Sequence, residues 1–329
     1  MARDHEAPKS GQKLVIIQHW RGEAIMSATK LRGIVGTPVT PFTSENEVDV
    51  LAMERLIEFH VTHGSDALAL PMHLGESLNL SMDERQSLAE TAVKTTEGRI
   101  PVIINVSLPG TDQVVDLARH AESVGADGVV VVTPYHWRPS DDALFDHFTA
   151  VAEAVGIRVL LYNFPARLGV SISPELLKRI VERCPNVTGM KDASYDMQGF
   201  TETVRVVREA APDFSVFAGV DYPLAAMTLG GDGCFSPSLQ VAPRLVRRLV
   251  DDCLAGRYAD ALPVQQRMSA LWQLLKVGYP SSVKAALELM GRAVGGVRRP
   301  ITNVDVRAVA RLREGLEELE VLATEPVGW

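Results

Sequence analysis

Eight short apolar runs, each followed by an amphipathic stretch, restrict what this chain can fold into more than any other feature. They occupy residues 33–36, 67–70, 102–105, 128–132, 159–162, 187–191, 215–218 and 233–236. Each is too short for a helix. Each is almost continuously apolar, as strands buried on both faces of a parallel sheet must be. The intervening stretches have helical periodicity. Residues 50–63 place Leu51, Met53, Leu56 and Ile57 on one face. Thr111-Asp112, Ser140-Asp141-Asp142 and Ser173-Pro174-Glu175 are helix starts with a capping side chain or an early proline. Three helix-to-strand joints, His63-Gly64-Ser65-Asp66, Val124-Gly125-Ala126-Asp127 and Gly230-Gly231-Asp232-Gly233, echo one another, with a glycine suited to a left-handed helix end.

Eight strands alternating with helices predict a (β/α)8 TIM barrel. A doubly wound sheet is the competing architecture. It is disfavoured because no G-x-G-x-x-G follows the first run and no G-x-x-x-x-G-K-[ST] occurs. Beyond Pro243 the pattern is wholly helical, over 244–255, 258–277, 281–290 and 303–319. One of these helices closes the barrel and the rest form a C-terminal helical extension. The expected organisation is a tail over 1–29 (Met26 offering an alternative start), a barrel over 30–255 and the extension over 256–329.

Bulk properties narrow the function. The net charge of −8 argues against a nucleic-acid surface. The three cysteines, Cys184, Cys234 and Cys253, form no C-x-x-C pair, which argues against a zinc knuckle or disulfide scaffold and fits a reducing cytoplasm. No apolar run approaches the ~18 residues of a membrane span. His60 and His63 share a helix face near Glu58 without a matching ligand motif, so no metal site is expected. The glycines at 230–233 are read as a helix end in preference to a phosphate cradle.

Catalytic groups of such barrels sit at the C-terminal ends of strands. Those ends carry His73, Asn105, Tyr135-His136, Tyr162, Lys191, Gly219 and Ser236. A lysine at the end of a buried strand loses solvation, which lowers its pKa and makes it a nucleophilic amine able to form an imine with a ketone. The alternative is a lysine neutralised by Asp192 or Glu76. His73 is either an active-site group or a loop histidine satisfied by backbone.

Seven strings occur in order: "GTPVTPF", "LGESLNLSMDER", "GADGVVVVTPY", "LYNFPARLG", "GMKDAS", "FAGVD" and "PSSVKAAL". They resemble the dihydrodipicolinate synthase / N-acetylneuraminate lyase family over residues 31–319. The resemblance implies a metal-free class I aldolase or lyase with no cofactor, whose lysine, here Lys191, forms a Schiff base with pyruvate or another 2-oxo acid. It implies Tyr162 as proton shuttle and Arg167 as an entrance group for a second substrate's carboxylate. It also implies a homotetramer, a dimer of dimers in which Tyr135 packs into a neighbouring subunit. Leu74, Gly75, Gly219 and Ser236 complete the expected substrate-binding set, with backbone N–H groups of the 74–76 turn leading into a helix and holding a carboxylate.

The sequence departs from the family pattern twice. His73 and Leu74 stand where two hydroxyl residues are expected, and His136 replaces the second of two tyrosines. The relay becomes His73, Tyr162 and His136, with two histidines that titrate near neutrality. Leu74 and Trp137 point to a more apolar pocket wall. The expectation is an aldolase or lyase with its own aldehyde partner, distinct from the lysine-pathway synthase. A dehydratase using the same imine, a non-catalytic keto-acid-binding barrel and a metal-dependent aldolase are the competing readings.

Overall fold

The computed structural model describes residues 30–329. The expected tail over 1–29 lies outside the described residues. Eight parallel strands close into a barrel in sequential order: β1 Gly33–Gly36, β2 Ala67–Leu70, β3 Val102–Asn105, β4 Gly128–Val132, β5 Arg158–Asn163, β6 Val187–Asp192, β7 Ser215–Ala218 and β8 Gly233–Ser236. The alternation of strand side chains sorts their apolar residues into two groups. Val35, Ala67, Ala69, Ile103, Val130, Val132, Leu160, Tyr162, Phe217 and Phe235 fill the barrel interior. Ile34, Leu68, Leu70, Ile104, Val129, Val131, Leu161 and Met190 face the surrounding helices.

One register feature positions the site. On β6 the pairing with β5 shifts between Val159↔Val187 and Leu160↔Gly189, so one extra residue is accommodated. Beyond this bulge Tyr162 pairs with Lys191. An unshifted ladder would set Met190 beside Tyr162 and turn Lys191 outward, because a one-residue slip reverses every side chain.

The three echoed joints form as expected. Gly64, Gly125 and Gly230 all have left-handed φ, at 97°, 92° and 93°. The aspartate that follows each has a function the sequence did not reveal. Asp66, Asp127 and Asp232 accept from the backbone N–H of Ile34, Val102 and Val216, at 2.7, 2.8 and 2.9 Å. Each carboxylate thereby ties its own strand start to the neighbouring strand.

Of the expected helix starts, Ser140 and Ser173 cap the helices Asp141–Glu153 and Pro174–Arg183. Thr111 does not cap. It is the first residue of Thr111–Ser123, behind Gly110, and its hydroxyl meets His147 Nδ1 at 2.9 Å. In the helix Val50–Thr62 the buried face is Ala52, Met53, Leu56, Ile57 and Phe59, while Leu51 is exposed.

Pro243–Leu254 follows β8 and completes the barrel's helical layer. The extension comprises Tyr258–Leu275, Ser281–Leu289, Val306–Glu318 and Val321–Thr324. Its buried residues, including Met268, Leu275, Leu287 and Leu316, belong to the same continuous core as the barrel's helix-facing side. Among the described residues no helix is long and apolar enough to cross a membrane.

Candidate active site

Lys191 is the penultimate residue of β6, with its side chain buried in the barrel mouth. Its Nζ lies 4.1 Å from the centroid of the Tyr162 ring and 4.9 Å from that of Phe235. Among the described residues no carboxylate stands within ion-pair distance of it. Both neutralising partners that the sequence offered are engaged elsewhere. Asp192 accepts from Asn163 Nδ2 at 2.7 Å and Ser194 Oγ at 2.6 Å, and Glu76 pairs with Lys284 at 3.0 Å. Loss of solvation therefore pulls the Lys191 amine down to about 7, with the charge of Asp221 opposing the shift. A neutral, nucleophilic amine is well populated near neutrality.

Tyr162 is buried beside it and stacks on Phe164, with ring centroids 5.6 Å apart. Burial raises its phenol well above 10, so it stays protonated until a base or a developing charge draws the proton. The His73 ring sits 5.6 Å from the Tyr162 ring and 6.2 Å from that of Phe164. His73 is thus brought to the site. Its titration is not near neutrality: burial, with the charges of Lys191, Arg167 and Arg85, pulls it down to about 4. At neutral pH it is an uncharged imidazole, able to accept a proton.

His136 lies apart from this group within the chain. It is exposed, has a left-handed φ of 78°, and sets its ring edge-on to Trp137 at 4.9 Å. Trp137 is itself 64% exposed.

Leu74 is a correction. Its side chain is buried in the core between barrel and helices, and Met72 is the member of this loop that joins the interior cluster with Tyr162. The expected apolar pocket wall is therefore not made by Leu74. Nor does an α-helix follow directly. Glu76 is left-handed, a 3-10 turn spans Ser77–Asn79, and the helix Met82–Thr96 begins behind a Ser81–Glu84 capping box. The N–H groups of Glu76 and Ser77 bond His73 O and Met72 O. Those of Leu74 and Gly75 have no acceptor among the described residues. Those two donors are the ones available to a substrate carboxylate. Gly75 is also packed closely: its carbonyl accepts from Thr40 Oγ1 at 2.6 Å, and a Cβ there would stand 3.1 Å from that oxygen.

Arg167 is exposed on the short helix Pro165–Leu168, and its guanidinium has no partner among the described residues. Gly219 answers a steric need, since a Cβ there would come within 2.4 Å of the Ala193 Cβ. Ser236 is buried and donates to Asp221 Oδ1 at 2.6 Å, while Ser238 donates to Oδ2 at 2.6 Å. Both hydroxyls are thus committed to Asp221, a buried carboxyl that burial pushes up to about 6 against these two donors. Asp221 stands with Gly219 among the strand-end residues and closes the string "FAGVD". Tyr195 and Tyr222, with ring centroids 5.3 Å apart, and Tyr279 from the extension also gather near the mouth. No strand-end pattern flags Tyr279, because the extension delivers it from far along the chain.

The remaining histidine candidates are accounted for by local partners. His60 Nδ1 meets Ser65 Oγ at 3.1 Å and His63 Nδ1 meets Phe59 O at 2.9 Å.

The barrel that carries Lys191 and Tyr162 is shared with known proteins. The dihydrodipicolinate synthetase family model matches residues 30–319. The chain belongs to this family. Relatives named 4-hydroxy-tetrahydrodipicolinate synthase include one from Thermotoga maritima, 34% identical over 88% of this chain and 99% of its own length. Another, from Bacillus subtilis, is 34% identical over 85% and 97%. Among solved structures, the Thermotoga maritima dihydrodipicolinate synthase superposes with TM-score 0.85 at 33% identity, covering 89% of this chain and 99% of that one. A prophage protein of the dihydrodipicolinic acid synthase family from E. coli K12, in complex with pyruvate, does so with TM-score 0.85 at 30% identity, covering 88% and 99%. Membership of the family carries an aldolase-type activity.

Proposed function

We propose that this protein is a class I, metal-independent aldolase or lyase that forms a Schiff base with pyruvate or a related 2-oxo acid through Lys191. The observation that carries this is the Lys191 amine, buried against the Tyr162 ring with no carboxylate within ion-pair distance among the described residues, and lowered to about 7. The amine adds to the 2-keto carbon and water leaves, giving an iminium. The iminium withdraws electrons from C3. Either a C3 proton departs and the enamine attacks an aldehyde, or the C3–C4 bond of a longer 2-oxo acid breaks and releases an aldehyde. Tyr162 delivers and recovers protons at the carbinolamine, with the neutral His73 ring as the group that exchanges them. The Leu74 and Gly75 N–H groups receive the carboxylate, and Arg167 meets the second substrate at the entrance. Replacement of a family hydroxyl by His73, whose ring stands 5.6 Å from that of Tyr162, supports an acceptor other than that of the lysine-pathway synthase. The family resemblance supports assembly into a dimer of dimers.

Incubation with pyruvate, borohydride reduction and peptide mass analysis tests the proposal. The expected result is an adduct on the Lys191 peptide, unaffected by chelator. Absence of an adduct across a panel of 2-oxo acids overturns it and favours a binding barrel. Given an adduct, product analysis separates aldehyde release from loss of water, the mark of a dehydratase.

A further inference from the structure

The C-terminal extension reaches the barrel mouth through a buried ion pair. Lys284 and Glu76 pair at 3.0 Å with side chains only 3% and 0% exposed. The Glu76 carboxylate also accepts from the Arg298 backbone N–H at 2.9 Å and from Asn79 Nδ2 at 3.3 Å. The Lys284 ammonium donates to the Gly296 carbonyl and lies 4.2 Å from the Phe42 ring centroid. The Arg298 guanidinium lies 4.3 Å from the same ring and forks onto Glu84. Phe42, in the loop after β1, is thus in contact with two cations from the extension. At the other end, Glu76 holds a left-handed φ of 55°, a conformation costly for a residue with a Cβ. Its N–H bonds the carbonyl of His73 at 3.1 Å.

An apolar pair of similar volume often stabilises a fold as well as a buried ion pair does. What the pair adds is direction: Glu76 is fixed from one side, and His73 is hydrogen-bonded to it. We infer that Lys284 is a positioning residue, acting through Glu76 to hold the 72–76 loop with the His73 ring against Tyr162. The inference rests on His73 acting within the proposed Schiff-base site.

The paired substitution K284M/E76Q removes both charges and avoids stranding one. The His73 imidazole signal, assigned by its loss in H73F, is followed through a pH titration in wild type and variant. The charges facing His73 are those of Lys191, Arg167 and Arg85. In the variant, His73 is expected to titrate about one unit higher or more as its ring leaves the buried pocket. The rate of borohydride-trappable adduct formation with pyruvate is expected to fall about tenfold. Adding the pair substitution to H73F is expected to change that rate by less than about twofold, since the group being positioned is already gone. K284R restores part of the rate. A folded K284M/E76Q protein with unchanged His73 titration overturns the inference, as does an equal rate loss in the H73F background. Should the paired variant fail to fold, N79A, which removes one donor to Glu76, is read in the same way. A smaller upward shift supports the inference and no shift overturns it. Absence of any wild-type adduct overturns the functional reading instead, and the His73 titration then decides the positioning role alone.

Discussion

The two rims of the barrel handle charge in opposite ways. At the rim where the strands begin, Asp66, Asp127 and Asp232 each accept a neighbouring strand's N–H. Asp66 also meets Arg247 at 2.7 Å, and Asp232 meets Lys30 at 2.9 Å and Arg208 at 2.8 Å. At the rim where the strands end, Lys191 is buried against aromatic rings, and among the described residues no carboxylate stands within ion-pair distance of it. Satisfied charge closes the sheet at one end. Unsatisfied charge at the other lowers an amine into the range where it is nucleophilic. Stability and reactivity are thereby separated by the length of a strand.

The sharpest test of this contrast is Lys191→Met. Trapping with pyruvate should fall below detection, while stability near pH 7 should rise by up to a few kcal/mol, because a poorly solvated amine is removed. The gain has a definite pH dependence. The unfolded lysine keeps its proton up to about 10.5, whereas the folded one releases it near 7. The wild type therefore gains stability as pH rises from about 7 to 10.5, and the advantage of the methionine variant shrinks across that window. Denaturant melts at several pH values measure this; a variant less stable than wild type at pH 7 breaks the comparison.

Next in size, Tyr162→Phe should slow adduct formation by about 10²–10⁴-fold with little change in stability, since only the hydroxyl is lost. A rate within threefold of wild type, measured by rapid quench with borohydride, would remove Tyr162 from the relay. The opposite rim should respond in the opposite sense. Asp232→Ala should cost about 2–4 kcal/mol through the lost strand N–H bond and unpaired cations, and should leave the trapping rate of the folded protein unchanged. The smallest expected effect is the position of the acid limb of the trapping rate. It should follow Lys191 near 7, rising with pH as the amine loses its proton. It should stay there in His73→Phe, because His73 titrates near 4. A limb that moves with His73 would assign the lowered titration to the wrong residue.

Much of the fold was legible from local pattern. The eight strands, the glycine-terminated helices and the serine caps follow from spacing and from side chains that act on their own neighbourhood. The proximity of Lys191, Tyr162 and His73 was legible because strand-end position and the family strings mark them. What failed depended on neighbours distant in sequence. Leu74 was read as pocket wall, yet its side chain turns to the helix-facing core. His73 was read as titrating near neutrality, yet burial and three cations hold it lower. Tyr279, and the two serine donors of Asp221, came to the site only once β7, β8 and the extension converged.

The sequence by itself determined the barrel and its strand order, because alternating apolar runs with a right-handed crossover have few ways to close, and the family, because seven strings occur in order. It also placed a lysine at the end of β6. Whether that lysine faced the interior was decided in three dimensions, by a one-residue shift between β5 and β6 that sets Lys191, and not Met190, beside Tyr162. Register is a property of two paired strands and burial a property of everything around them. The direction of that side chain, and with it the pKa of its amine, therefore belongs to the tertiary structure alone.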